Sequence, residues 1–362
     1  MRKLLLALLM LPLSGPAQQP VGADARQPVS VSNDKIELTV LLRGGTFSRM
    51  VLSSDPEKLS PLAVGGGHSL CLDGFGSPSK EEMAAGMPFH GEAGKQLWTM
   101  TSPPPAGKLR TLKMNTSLPL AQENFSRTFE IVDGENVVYV ESELESLVGF
   151  DRPVSWAEHG TLSPPFLEKG KTVVNMPAAQ CRVRDEKPHG LPNRLIFSRN
   201  FTWPMAPTVD GGQADLRFVP EQNYLDLASC QMDPKRTLGF VTALQLGKHL
   251  LYGYVFRREE YPWVMSWMNY TGDARAARGM EFSTQTFDVS RRETVEANPL
   301  FGTPTFRWLP AKSKIRSRFL IFYAQAPEGF TNVDDITLAG GVLIIEDRTS
   351  GKRITLPVSL PL

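Results

Sequence analysis

Phe125-Ser126-Arg127-Thr128-Phe129-Glu130-Ile131-Val132-Asp133-Gly134-Glu135-Asn136-Val137-Val138-Tyr139-Val140-Glu141-Ser142-Glu143-Leu144-Glu145-Ser146-Leu147 is the stretch that decides the fold class. Two β-rich runs, 125–132 and 137–147, flank a Val132-Asp133-Gly134-Glu135 break, and that combination reads as a tight hairpin. A further strand at 109–114 precedes it. Upstream, 36–42 and 46–52 are joined by Arg43-Gly44-Gly45 and form an opening hairpin. Downstream, strands are expected at 172–175, 195–197, 224–229, 238–246, 251–257 and 315–326. A last hairpin, 342–346 with 353–358, turns at Ser350-Gly351-Lys352. Amphipathic helical periodicity is almost absent apart from short polar pieces such as 79–85, and no period of 20 to 50 residues marks a solenoid or propeller. Many antiparallel strands with few helices predict an all-β fold: a large antiparallel β-sandwich, one domain over residues 35–362. Two stretches, 54–100 and 152–167, read as irregular, and long loops of this kind are usually functional or disordered.

The 362 residues carry a formal net charge of +1, which gives no electrostatic argument for nucleic acid or an acidic membrane surface. A hydrophobic content of 41% supplies a substantial core and argues against disorder. Arg2 and Lys3, the apolar run Leu4 to Leu13 and the small residues of Gly15-Pro16-Ala17 read as a secretory signal peptide over 1–17, cut after Ala17. The run is too short to span a membrane. Residues 18–34 are expected to form a flexible leader, and the location is expected to be periplasmic or secreted. Cys71, Cys181 and Cys230 allow at most one disulfide; they read as ordinary buried cysteines without zinc-site spacing.

Three segments carry the chemistry. They are Gly86-Met87-Pro88-Phe89-His90-Gly91-Glu92-Ala93, Trp156-Ala157-Glu158-His159-Gly160 and Arg278-Gly279-Met280-Glu281-Phe282. Imidazole and carboxylate exchange protons with hydroxyl groups near neutral pH, so two histidines and a late glutamate make an acid/base set if the fold brings them together. Each has an ordinary alternative: a solvated loop histidine, a packed histidine beside Trp156, a strand glutamate on the wet face. His68, His189 and His249 read as surface residues.

In their order these segments resemble the galactose mutarotase-like superfamily, the aldose 1-epimerases and their relatives. Gly44-Gly45-Thr46-Phe47 resembles the family's early Gly-Gly strand. Phe89-His90-Gly91-Glu92-Ala93-Gly94 followed by Trp98 resembles its sugar-binding histidine segment. Trp156-Ala157-Glu158-His159 resembles the acid-histidine segment, and Gly279-Met280-Glu281 the strand of the general base. The resemblance covers most of residues 35–330. It implies a β-supersandwich, a small carbohydrate ligand and no cofactor or metal. In the implied roles Glu281 is the base, His159 the acid for the ring oxygen, and His90 binds a hydroxyl or polarises the carbonyl. One departure is plain. The family's Gly-Arg-x-x-Asn-Arg segment is missing, and Asp73-Gly74-Phe75-Gly76 stands in its place.

Around the three, the expected substrate contacts are Glu92, Trp156, Phe166, Trp267 and Arg127. Trp263 and Trp267, four apart, share one side of a strand and could stack on a sugar ring. Arg127 or Arg194 could replace the missing arginine. The leading functional expectation is an exported aldose 1-epimerase-like enzyme that interconverts anomers of a free sugar. A non-catalytic carbohydrate-binding sandwich and a polysaccharide lyase or hydrolase are the alternatives. The sequence leaves the oligomeric state open.

Overall fold

The computed structural model describes residues 28–185, 193–272 and 276–362. The proposed signal peptide and His189 lie outside the described residues. Among the described residues no helix is long and apolar enough to cross a membrane.

The expected all-β architecture is observed. A ten-stranded antiparallel sheet runs in the order Pro28–Ser32, Ile36–Leu41, Phe47–Leu52, His68–Leu72, Trp156–Leu162, Ala277–Ser283, Trp263–Asn269, Leu225–Met232, Ala178–Val183, Asn200–Phe201. An eight-stranded sheet stacks on it in the order Thr172–Asn175, Leu238–Gln245, Leu250–Arg257, Lys314–Gln325, Val137–Ser146, Glu123–Val132, Leu109–Leu118, Thr99–Thr101. A large apolar core fills the space between them, including Phe47, Phe129, Tyr254, Phe282 and Phe319.

A second core lies on the far side of the eight-stranded sheet. The three-stranded sheet Asp335–Ala339, Val342–Asp347 and Lys352–Pro357 covers it, placing Leu343, Ile345 and Leu356 against Leu251, Val255, Leu320 and Phe322. This explains the composition of Leu250–Arg257 and Lys314–Gln325. Residues 250–256 and 319–324 are apolar on both faces because both faces are covered there. Leu109–Leu118 alternates buried and exposed positions, as a sheet with one wet face requires.

Several expectations need correction. The leader assigned to 18–34 ends in a strand, because Pro28–Ser32 pairs with Ile36–Leu41 from Pro28↔Leu41 to Ser32↔Glu37. The irregular stretches 54–100 and 152–167 contain His68–Leu72 and Trp156–Leu162, which are neighbours in the middle of the ten-stranded sheet. The strand expected at 195–197 is a single bridge between Leu195 and Thr208. Cys181 and Cys230 stand opposite each other on paired strands and form a disulfide, so only Cys71 is a buried free thiol.

His68, expected at the surface, is fully buried. Its Nε2 lies 2.7 Å from Glu158 Oε2 and its Nδ1 2.9 Å from the Tyr254 hydroxyl. Arg127 Nη2 and Trp156 Nε1 both donate to Glu158 Oε1. Burial pulls the Glu158 carboxyl up, but the Arg127 guanidinium and the His68 contact outweigh it and hold the group below the usual carboxylate value. Burial also lowers the His68 pKa, so the imidazole is neutral and donates from Nε2. Removing one partner from such a cluster strands the others in a dry core. Glu158→Ala is therefore expected to lower the unfolding free energy by about 3–5 kcal/mol. Chemical denaturation measures this, and a loss well under about 1 kcal/mol would show that Arg127 finds water or another partner.

Candidate active site

Strand alternation sorts the chemistry onto one face. Ser69, His159, Glu281 and Met265 are directly opposed across four adjacent strands, through the registers Ser69↔His159, His159↔Glu281 and Glu281↔Met265. Opposed residues share a face, and their neighbours in sequence take the other. Glu158, Met280 and Phe282 accordingly point into the core. His159, Thr161, Glu281 and Trp267 point into a cavity of about 460 Å³ on the opposite face. That volume suits a small-molecule ligand.

Glu281 is almost wholly buried, and its Oε1 lies 3.3 Å from His159 Nε2. The geometry falls short of a hydrogen bond, and Oε1 has no other partner among the described residues. The carboxylate lies back over Gly279: a Cβ there would come within 2.1 Å of Oε1. Burial, with the Asp288 carboxylate nearby, pushes the Glu281 carboxyl well above the usual carboxylate range, against the opposing pull of Arg278. His159 moves the other way. Burial lowers its imidazole to about 4. Its Nδ1 lies 3.1 Å from the Thr161 hydroxyl. The two opposite shifts favour a proton shared by the pair on the carboxyl rather than on the imidazole.

His90 reaches the same cavity from a loop, and its ring centroid is 5.3 Å from that of His159. The loop is held by the Asp73-Gly74-Phe75-Gly76 segment. Gly76 N–H donates to His90 Nδ1 at 3.0 Å, and His90 N–H donates to the Gly76 carbonyl at 3.0 Å. A backbone N–H can only donate, so Nδ1 is the acceptor and the neutral ring carries its proton on Nε2. Burial, helped by His159 and Lys95, lowers the His90 pKa to about 3. The backbone of His90 is left-handed, with φ 65°. Gly91 follows with φ 79°, and a Cβ there would sit 2.1 Å from the Leu72 carbonyl oxygen. Phe75 stands edge-on to His159 at 5.9 Å and walls the cavity.

Of the eight residues expected in the site, the structure brings four together: Glu281, His159, His90 and Trp267, whose ring centroid is 6.5 Å from that of His159. The other four are elsewhere. Trp156 and Arg127 are in the core on Glu158, on the face opposite His159. Phe166 is fully buried against Tyr323. Glu92 braces a loop, accepting from Leu120 N and Ala121 N at 3.0 and 3.1 Å and from Gln96 Nε2 at 2.9 Å. Arg194 pairs with Asp226, and Trp263, though on the strand of Trp267, donates to the Pro304 carbonyl under the loop that carries Phe301. Sequence reasoning missed Ser69, Phe75, Thr161, Leu227 and Asp288 as lining residues. The one available signal was the glycine-flanked Phe75. A pair placed to flank a pyranose ring would face each other across a gap; Glu281 and His159 are cross-strand neighbours instead, so a ligand would have to lie over the pair.

A second recess of about 430 Å³ opens at one end of the sandwich, walled by residues that include Leu59, Pro164, Leu167 and Tyr270. No histidine lines it among the described residues.

No family profile matches the chain, and no curated protein sequence matches it. Solved structures do. A galactose mutarotase-like protein from Lactobacillus casei aligns with a TM-score of 0.57 at 10% identity, over 82% of this chain and 100% of that one. The fold is that of the galactose mutarotase-like proteins. A galactose mutarotase related enzyme from Lactobacillus acidophilus aligns with a TM-score of 0.53 at 10% identity, over 83% and 99% of the two chains. The Slr1438 protein from Synechocystis sp. PCC 6803 gives 0.58 at 13% identity, over 83% and 97%. At this identity the likeness is one of fold, and the mutarotase-like sandwich says nothing by itself about chemistry.

The two cavity histidines supply a direct check of the electrostatics. Their folded pKa values lie below the unfolded one, so their contribution to stability is present above about 6.5 and is lost as the pH falls through the folded values. Imidazole NMR should give midpoints of about 4 for His159 and about 3 for His90. A midpoint near 6.5 for either would mean that water reaches the ring freely.

Proposed function

We propose that the chain is an exported aldose 1-epimerase-like enzyme that interconverts the anomers of a sugar by opening and closing its hemiacetal ring. The observation that carries this reading is the side-by-side placement of Glu281 and His159 at 3.3 Å, in a cavity that His90 completes. The anomeric hydroxyl and the ring oxygen are bonded to the same carbon. Two proton-exchanging groups that stand side by side can therefore serve both at once. Export rests on the signal-like residues 1–17.

One proton on the pair is enough. In the free site it resides on Glu281, and its transfer to His159 gives the working form, carboxylate beside imidazolium. Glu281 then removes the proton of the anomeric hydroxyl as the bond from the anomeric carbon to the ring oxygen breaks. His159 delivers its proton to that oxygen, and the products are an open-chain carbonyl and a hydroxyl. After rotation about the bond next to the carbonyl, the same transfers run in reverse and close the ring on the other face. The His90 Nε2–H donates to the carbonyl or a neighbouring hydroxyl, and Trp267 and Phe75 offer faces to the C–H edges of the ring. The missing Gly-Arg-x-x-Asn-Arg segment favours a second reading, a sugar-binding sandwich without chemistry.

Anomer exchange followed by NMR or polarimetry over a panel of monosaccharides separates the two. Glu281→Gln keeps the shape and removes the base, and exchange should fall by a factor of roughly 10² to 10⁴ while sugar binding survives. His159→Asn should lose a similar factor, and the double variant little more, because the residues act as one unit. Unchanged exchange in Glu281→Gln refutes the assignment; sugar bound without exchange in the wild type selects the second reading.

The pH profile should be bell-shaped. The acid limb appears where the pair takes a second proton, near the value of about 4 for His159. The alkaline limb appears where the pair loses its only proton, at the raised Glu281 value. A profile with no alkaline limb would show that the acid is not this pair. Gly279→Ala, which drives a methyl group into the Glu281 carboxylate, should reduce exchange without removing any reacting group. Full activity in that folded variant would place the carboxylate elsewhere during turnover.

A further inference from the structure

Asp288 follows the strand Ala277–Ser283 and lines the cavity that holds Glu281. Behind it stands Arg184, just past the strand Ala178–Val183, with Nη2 at 3.0 Å from Oδ1 and 3.2 Å from Oδ2. The Arg184 side chain is 12% exposed, and its Nε is buried with no acceptor among the described residues. Its backbone is fixed at both ends: its N–H donates to the Leu227 carbonyl and its carbonyl accepts from Ser198 N, each at 3.0 Å. Leu227 is itself a cavity residue. On the other side, Gly76 packs so closely that a Cβ there would lie 2.3 Å from the Asp288 carbonyl oxygen. Asp288 is thus clamped between the segment that holds His90 and the arginine behind it.

The wall has two electrostatic layers. A carboxylate borders the cavity and a guanidinium lies behind it. Among the described residues no lysine or arginine lines the cavity. Each carboxylate oxygen can accept more than one hydrogen bond, so a carboxylate already held by protein partners can still accept from a ligand hydroxyl.

We propose that Asp288, backed by Arg184, is the specificity residue of the cavity, accepting hydroxyl groups of an uncharged sugar and barring sugars that carry a phosphate or carboxylate. This rests on the reading of the cavity as a sugar site. Hydroxyl groups donate to a carboxylate, whereas an anionic substituent placed against it is repelled and finds no lysine or arginine among the described lining residues to pair with. Removing Asp288 turns the wall toward the positive sign of the Arg184 cation behind it.

Calorimetric or NMR titration of D-galactose, D-glucose, D-glucose 6-phosphate and D-glucuronate into the wild type, Asp288→Asn, Asp288→Ala and Asp288→Ala/Arg184→Ala tests this. The wild type should bind a neutral sugar of the panel and neither anion. Both single variants should weaken neutral-sugar binding by about 10- to 100-fold, the range for a hydrogen bond to a charged group. Asp288→Ala should gain binding of an anionic sugar, and the double variant should lose that gain. Asp288→Asn keeps the side-chain shape, so its result stands even if Asp288→Ala fails to fold. Neutral-sugar binding unchanged in folded Asp288→Asn, or anionic sugars bound by the wild type as tightly as neutral ones, overturns the proposal and leaves the sugar-site reading intact. A wild type that binds none of the four overturns both.

Discussion

A carboxylate buried between two sheets, Glu158, fixes where everything else can be. It takes donors from Arg127, Trp156 and His68, which come from one strand of the eight-stranded sheet and two of the ten-stranded sheet. Side chains on a strand alternate, so a Glu158 pinned inward forces His159 outward. The register His159↔Glu281 carries the same choice to the next strand, where Met280 and Phe282 go into the core. A slip of one residue would put the ion cluster in the cavity and the reacting pair in the core. The buried charges are a costly way to build a core. What they confer here is a single register, and we take that to be their role in this molecule.

The same arrangement explains what could be read in the sequence and what could not. The hairpin around Asp133-Gly134 and the late apolar strands were legible because their faces are conventionally apolar or wet. Trp156–Leu162 was not, because its inward face carries Glu158 and its outward face His159 and Thr161. A strand polar on both faces has no period-2 apolar signal, and it resembles a loop. His68–Leu72 hid for the same reason, with His68 turned to Glu158 and Ser69 to the cavity. Arg127 and Trp156 were expected at the substrate, but both lie in the core on Glu158. A spacing argument cannot tell the two faces apart until the register is known. Asp288 and Arg184, separated by 104 positions, meet only in three dimensions.

The segment Asp73-Gly74-Phe75-Gly76 acts as a structural clamp. Gly74 approaches the Gly91 backbone, Gly76 approaches Asp288, and reciprocal hydrogen bonds tie Gly76 to His90. Only residues without a side chain permit backbones this close. Two loops distant in sequence are thereby held in one geometry, and His90 is kept in a left-handed conformation that it would not choose alone. The chain invests this region in preorganisation, which is what proton transfer to a small ligand requires.

In the proposed mechanism a sugar lies over the Glu281–His159 pair, with its anomeric carbon facing both side chains. A crystal structure of Glu281→Gln with a bound monosaccharide measures this most directly. The expected complex has the anomeric hydroxyl within hydrogen-bond reach of the residue 281 side chain, the ring oxygen within reach of His159 Nε2, and a hydroxyl or carbonyl oxygen on His90 Nε2. A sugar bound with its anomeric carbon turned away from that pair, or lodged instead in the recess beside Tyr270, would contradict it.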